Sequence, residues 1–182
     1  MNNPIVIKNF LSIDEKNLLS ETGKIFLRSN KRWFEPLGAS PYYYSMYVTE
    51  AILKIKKKII EEKLNKELLP TYSFSRIYTK YDELKKHKDR PECEYSVTVF
   101  VDSCGTYDWP IYMDNKPYHL SPGDAVIYKG CDFLHWREEF LGDWHYQIFL
   151  HYVDKKGQYS NHIRDKRKVL GDRSRKDNIE II

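Results

Sequence analysis

"WHYQIFLHYV", Trp144–Val153, is a ten-residue run of aromatic and aliphatic side chains with two histidines inside it. Alternation along an extended strand puts Tyr146, Ile148, Leu150 and Tyr152 on one face. His145, Gln147, Phe149 and His151 take the other. The first face is apolar enough to pack against helices, so the second lines whatever cavity exists. This one strand predicts a layered molecule, with helices outside a sheet and a partly polar hollow within.

The neighbouring sequence agrees. From Pro70 onward, short runs of strand-forming residues, "TYSFSRIYT", "YSVTVFV", "WPIYM", "PYHL" and "DAVIY", are separated by turn signals such as "DNK" and "SPGD". Ahead of Pro70 the pattern is helical. "IVIKNF" reads as a short strand, and "SIDE" as a capping box with Ser12 as N-cap and Glu15 three residues on. Leu18, Leu19, Ile25 and Phe26 supply part of an apolar stripe, with Gly23 a weak point. "RWFEPLGASPYYYS" reads as loop. A second helix spans residues 49–68, with Ile52, Ile55, Ile59, Ile60 and Leu64 on one face and its lysines in water. The expected class is α+β, a double-stranded β-helix (jelly roll) with N-terminal helices packed on one sheet. A single domain of 182 residues is expected, with helical support in 1–69, the β core in 70–154 and a polar tail in 155–182.

Composition narrows the function. Thirty basic against twenty-six acidic residues, mixed along the chain, give a formal charge of +4, which carries no nucleic-acid signal. The most basic stretch, "IRDKRKVLGDRSRKD", reads as a solvated tail. Cys93, Cys104 and Cys131 form no CxxC pair, which fits a reducing compartment, and no apolar run is long enough to span a membrane. The start lacks a secretory pattern, and a soluble cytoplasmic protein is expected.

His87 and Asp89, in "LKKHKDRPECEYSVTVFV", are two positions apart ahead of a strand, so both side chains can turn toward one ion. An imidazole and a carboxylate completed by a second histidine make the facial triad of non-haem iron(II). The candidates for the third ligand are His119, His135, His145, His151 and His162. His135 follows "PGDAVIYKGCDFL", a strand and a short loop, at the rim where His87 and Asp89 also sit, and is the chosen ligand; His145 lines the cavity. In "YSFSRIY", Arg76 and Tyr78 share a face with Tyr72 and Phe74. An inward arginine needs a partner, either an internal acid such as Glu94 or a carboxylate-bearing ligand. Ser96 and Thr98 also share a polar face.

From Phe10 to Val153 the chain resembles the prolyl 4-hydroxylase-like branch of the iron(II)/2-oxoglutarate-dependent dioxygenases. "NFLSIDEKNLL" is similar to that family's opening strand and helix. "SRIYTKYDELKKHKD" carries its tyrosine, Tyr78, nine residues before the HxD pair, and "PGDAVIYKGCDFLHW" its glycine-marked strand and distal histidine. The resemblance implies Fe(II) held by His87, Asp89 and His135, with 2-oxoglutarate chelating the metal and Tyr78 binding it. It further implies O2 as oxidant, ascorbate as auxiliary reductant, and hydroxylation of an unactivated C–H bond. The family places a lysine or arginine about ten residues after the distal histidine, where this chain has His145. Arg76 is therefore expected to carry the far carboxylate, with His145 assisting and Lys129 a weaker candidate. A peptidyl proline or another amino-acid substrate follows by analogy. Trp109, Tyr112 and Trp136 are candidates to stack on a substrate, and the loop "EPLGASPYYYS" to border the pocket. Two other readings compete: an iron oxygenase of this fold that does not use 2-oxoglutarate, favoured by the missing cation, and a non-catalytic barrel that binds a peptide or small molecule.

Overall fold

The computed structural model describes residues 1, 3–29 and 40–172. Among the described residues one short strand precedes the first α-helix and another separates it from the second. Helix α1 (Ile13–Ser29) opens with the expected reciprocal cap: the Ser12 amide donates to Glu15 Oε2 at 2.7 Å and the Glu15 amide to Ser12 Oγ at 3.2 Å. Its buried side is Leu19, Ser20 and Gly23, whereas Leu18 and Ile25 face solvent. Gly23 is where the helix meets the sheet, since a Cβ there would sit 2.5 Å from the Tyr146 ring. Helix α2 (Tyr47–Leu64) stops at Asn65, which takes a left-handed conformation (φ 50°, ψ 49°) and returns its amide to the Glu61 carbonyl. Ile52, Leu53 and Ile60 are its buried apolar residues, and Ile55 is exposed. Lys56, expected on the wet face, is buried because its ammonium pairs with Glu15 of α1 at 2.6 Å.

Among the described residues there are ten strands: β1 (Ile5–Ile7), β2 (Tyr42–Tyr44), β3 (Leu68–Thr79), β4 (Leu84–His87), β5 (Tyr95–Ser103), β6 (Ile111–Met113), β7 (Lys116–Tyr118), β8 (Ala125–Tyr128), β9 (His135–Arg137) and β10 (Trp144–Asp154). They form two antiparallel sheets, one of six strands ordered β1-β8-β5-β10-β3-β2 and one of four ordered β4-β9-β6-β7. The hairpin between β6 and β7 turns on Asp114 and Asn115, both at positive φ (46° and 68°), the signature of a two-residue primed turn. β2 lies within the stretch read as loop; residues 30–39 of that stretch lie outside the described residues.

Strand β10 pairs with β3 on one side and β5 on the other, with His145 opposite Tyr78, Gln147 opposite Arg76 and Phe149 opposite both Phe74 and Thr98. Paired residues share a face, so the two faces of the large sheet segregate as its alternation demands. On one, Tyr146, Ile148, Leu150 and Tyr152 join Val97, Val99, Ile77 and the buried residues of both helices in the main core. The other face meets the small sheet, and between them lie two lesser clusters, Ile111, Met113, Val126 and Tyr128, and Tyr78, Trp109 and Phe140.

The stretch expected as a solvated tail packs back as far as Asp172. A 3-10 segment over Ser160–Lys166 carries Asp165, whose carboxylate accepts both Nη1 and Nη2 of Arg90 at 3.1 Å and the hydroxyl of Tyr44. Arg167 donates to the Thr71 carbonyl at 2.8 Å and lies 3.5 Å from Glu50. A sequence of alternating charge looks wet; here Asp165 and Arg167 are buried because each finds a distant opposite partner, while Lys166 and Lys168 stay exposed. Residues 173–182 lie outside the described residues.

Candidate metal centre

Strand β4 delivers His87 at its end, and the chain continues extended to Asp89, whose amide donates to the Gly130 carbonyl at 2.9 Å. β9 begins with His135, directly opposite His87 in the register. The three side chains therefore meet between the two sheets. Nε2 of His87 and Nε2 of His135 each lie 3.5 Å from Asp89 Oδ1, and the two rings are 4.2 Å apart. Two donors each bonded to one ion at about 2.0–2.2 Å lie at this order of separation. The three groups fit a metal site, with all ligand atoms within 4.8 Å of one another.

The surroundings fix which atoms face inward. His87 Nδ1 donates to the Lys85 carbonyl at 2.7 Å and His135 Nδ1 to the Phe133 carbonyl at 3.0 Å, leaving both Nε2 lone pairs for an ion. Asp89 Oδ2 accepts from Ser96 Oγ at 2.8 Å, so Oδ1 alone is free to coordinate. Burial works to raise the Asp89 carboxyl, but the two rings facing it, His135 first and then His87, outweigh that effect and hold the group well below the usual carboxylate range. Gly130 makes this packing possible, because a Cβ there would collide with Asp89 Oδ2 and come within 2.5 Å of the Cys93 carbonyl.

A second grouping shares Asp89 with Cys93 and His151. It suits a metal less well. Burial pushes the Cys93 thiol well above its ordinary range, and the thiol bonds the Tyr72 hydroxyl at 3.1 Å, so no thiolate is on offer. His151 Nδ1 sits 3.0 Å from Ser96 Oγ. Because Ser96 must donate to the carboxylate, His151 donates to Ser96, making a relay that orients Asp89.

The remaining sequence candidates spread along the interior. Tyr78 is buried under the Arg76 guanidinium, 4.3 Å from its ring centre, and against Trp109 at 4.8 Å. Arg76 Nε donates to Ser40 Oγ at 2.9 Å and its Nη2 lies 4.0 Å from Asp82, so an internal acid does stand near it, Asp82 rather than Glu94. Glu94 instead accepts the Asp154 amide at 2.8 Å. His145 stacks on Phe100 at 4.1 Å with Nε2 2.8 Å from the Gln147 amide. Burial and the charge of Arg137 hold its pKa well below the ordinary imidazole value, so it is neutral at pH 7. Lys129 pairs with Asp132 at 3.0 Å, and His119 with Asp108 at 2.7 Å. Trp109 is interior, but Trp136 lies between inward-facing His135 and Arg137 and so points outward, stacked on Tyr112 at 5.3 Å. Those two face away from the triad.

Solved structures with a similar fold include a viral collagen prolyl hydroxylase from Paramecium Bursaria Chlorella virus-1 in complex with 2-oxoglutarate (TM-score 0.63, 12% identity, 82% of this chain and 94% of that one). HygX from Streptomyces hygroscopicus, with nickel and 2-oxoglutarate bound, aligns at TM-score 0.64 and 10% identity over 84% of this chain and 83% of its own. A Pseudomonas putida prolyl-4-hydroxylase aligns at TM-score 0.60 and 12% identity, over 83% and 92%. The fold is that of the iron(II)/2-oxoglutarate oxygenases. At the level of sequence no family model and no curated protein matches the chain.

Within this oxygenase fold, sequence reading passed over three contributors. In the sequence Ser96 reads only as part of a polar face, and Gly130 is not singled out. Arg137 was missed entirely, although its position two residues after His135 on one strand puts it on the same inward face. That spacing was the available signal.

Proposed function

We propose that this chain is an Fe(II)- and 2-oxoglutarate-dependent dioxygenase that hydroxylates an unactivated C–H bond. The observation that carries the reading is the convergence of His87 Nε2, His135 Nε2 and Asp89 Oδ1 between two sheets, with every other polar atom of the three side chains tied elsewhere. Three ligands on one side of an ion leave its remaining positions open to small molecules. Bound there, iron(II) supplies the oxidant by coupling the reduction of dioxygen to the decarboxylation of 2-oxoglutarate.

The protein's own part is placement and dryness. His87 and His135 present neutral nitrogen, Ser96 turns one oxygen of Asp89 away, and the Tyr78 hydroxyl donates to the co-substrate. Trp109, Phe140 and Phe149 keep water from the space beside it. The two facing antiparallel sheets support a double-stranded β-helix, and we read the chain as one catalytic domain. The substrate class we assign is an amino acid, either free or as a prolyl residue in a peptide. That choice leans on the names of the viral and Pseudomonas neighbours. Among the described residues no helix is long and apolar enough to cross a membrane, and the free cysteines support a cytoplasmic setting.

The test is 2-oxoglutarate turnover with iron and ascorbate, measured as succinate formed, across panels of peptides and free amino acids. Turnover that a chelator abolishes and that His135→Ala lacks is the expected result. A protein that binds iron but never consumes 2-oxoglutarate would sink the proposal in favour of a different oxygenase.

A further inference from the structure

Arg137 is a buried charge without a counter-ion among the described residues. Its side chain is buried at 2% exposure on β9, facing the large sheet, and among the described residues no carboxylate lies within 4.0 Å of it. Other cations of low exposure are neutralised: Lys56 by Glu15 at 2.6 Å and Arg167 by Glu50 at 3.5 Å. The direct contacts of Arg137 are neutral. One Nη donates to the Trp109 carbonyl, the guanidinium lies 4.7 Å over the Trp109 ring, and Nε has no partner. Burial pushes its pKa down to about 10, against the pull of Tyr78, Tyr128 and Asp108, so it is still charged at neutral pH. An unpaired interior cation is costly, and such a cost persists where a ligand removes it.

Two more orphans lie beside it. His145 Nδ1 and Gln147 Oε1 are buried without partners, while the other ends of these side chains bond each other. Whichever way the Gln147 amide is turned, the pair offers one free donor and one free acceptor. A guanidinium with an idle N–H and an idle neutral donor is a receptor for a carboxylate. His135 and Arg137 are two residues apart on one strand face, about 6.6 Å along it. That matches the separation between the chelating end and the far end of a five-carbon diacid.

We infer that Arg137, assisted by the His145–Gln147 pair, binds the far carboxylate of 2-oxoglutarate, an assignment that rests on the reading of the site proposed above. It displaces Arg76 from that role, since Arg76 already has Ser40 and Asp82. It also explains how the chain dispenses with a cation at residue 145: the charge has moved to the neighbouring sheet.

The experiment is isothermal titration of the protein loaded with Mn2+, using 2-oxoglutarate and, as the probe lacking the far carboxylate, 2-oxobutyrate. Wild type should prefer 2-oxoglutarate by about a hundredfold. Arg137→Met should erase the preference while still binding one Mn2+, and Arg76→Met should keep it. Arg137→Lys, which retains a charge without the fork, should keep about a tenth of the preference and serves if the methionine variant misfolds. A second readout separates a ligand-binding role from a structural one: without ligand, Arg137→Met should melt a few degrees higher than wild type. If Arg137→Met discriminates as wild type does, or Arg76→Met does not discriminate, the assignment is overturned and the 2-oxo-acid reading survives. If wild type binds Mn2+ yet binds neither acid, both fail together.

Discussion

His135→Ala removes a nitrogen ligand whose Nε2 lies 3.5 Å from Asp89 Oδ1 and should abolish binding of Mn2+ or Fe2+, whereas His151→Ala, which removes only the relay to Ser96, should weaken it about 10–100-fold. Equilibrium dialysis distinguishes the two, and the reverse order would make His151 the ligand. Tyr78→Phe deletes one hydroxyl opposite His145 and should lower 2-oxoglutarate affinity about tenfold at unchanged metal affinity, worth roughly 1.5 kcal/mol. His145 supplies a pH test. Its folded pKa is depressed below the ordinary 6.5, so below about pH 6.5 the unfolded chain takes a proton that the folded chain refuses. Stability contributed by the neutral ring is present above that pH and is lost on acidification, by about 1.4 kcal/mol per pH unit. In urea melts of the metal-free protein between pH 7 and 5, His145→Gln should therefore lose less stability than wild type. Equal losses would mean that the ring protonates freely in place. At this scale sequence was most informative where a residue's neighbours fixed its direction, as with His145 and Gln147 on a long strand. It was blind to Arg137, because "HWREEF" looks like the start of a charged loop and its strand is only three residues long.

Among the elements, α1 offers a prediction whose sign separates propensity from packing. Replacing a mid-helix glycine by alanine ordinarily stabilises by about 0.5–1 kcal/mol. At Gly23 the new methyl would meet the buried Tyr146 ring, and overpacking costs about 1–3 kcal/mol. Gly23→Ala should thus lower stability by about 1 kcal/mol or more in chemical denaturation; a gain would show that the helix can lift off the sheet. The same contact explains what periodicity obscured. The helical stripe is set by Leu19 and Gly23, and the approach of sheet to helix, not hydrophobicity, decides that Leu18 and Ile25 stay outside. β3, β5 and β10, with nine to twelve residues each, were legible from alternation. β4 and β9, with four and three, contain too few residues to show a period, so the ligand strands themselves were the hard part.

At the scale of the whole molecule, the large sheet is backed by helices and the main core, while the small sheet rests on β-strands of three and four residues. Layer order was readable from the two faces of β10. The folding-back of residues 160–172 was not, because it depends on ion pairs between positions more than seventy residues apart, such as Arg90 with Asp165. The difference between the sheets predicts unequal local stability. At metal concentrations a hundred times the dissociation constant, amide exchange in β4 and β9 should slow about a hundredfold, provided those strands open locally. Exchange in β3 and the middle of β10 should hardly change. Uniform slowing along the chain would show that the two sheets open as one unit.

Those short ligand strands have a further consequence, for the protein's life in a cell. His87 and His135 join β4 to β9 across a register that is broken between Leu84 and His87, so an ion shared by the two histidines would be a rivet as much as a reagent. Proteases cut what opens, and this is the sheet predicted above to open first. When the metal is scarce, idle copies would be the ones destroyed. The abundance of the polypeptide would then follow the nutrient it needs, without any dedicated sensor.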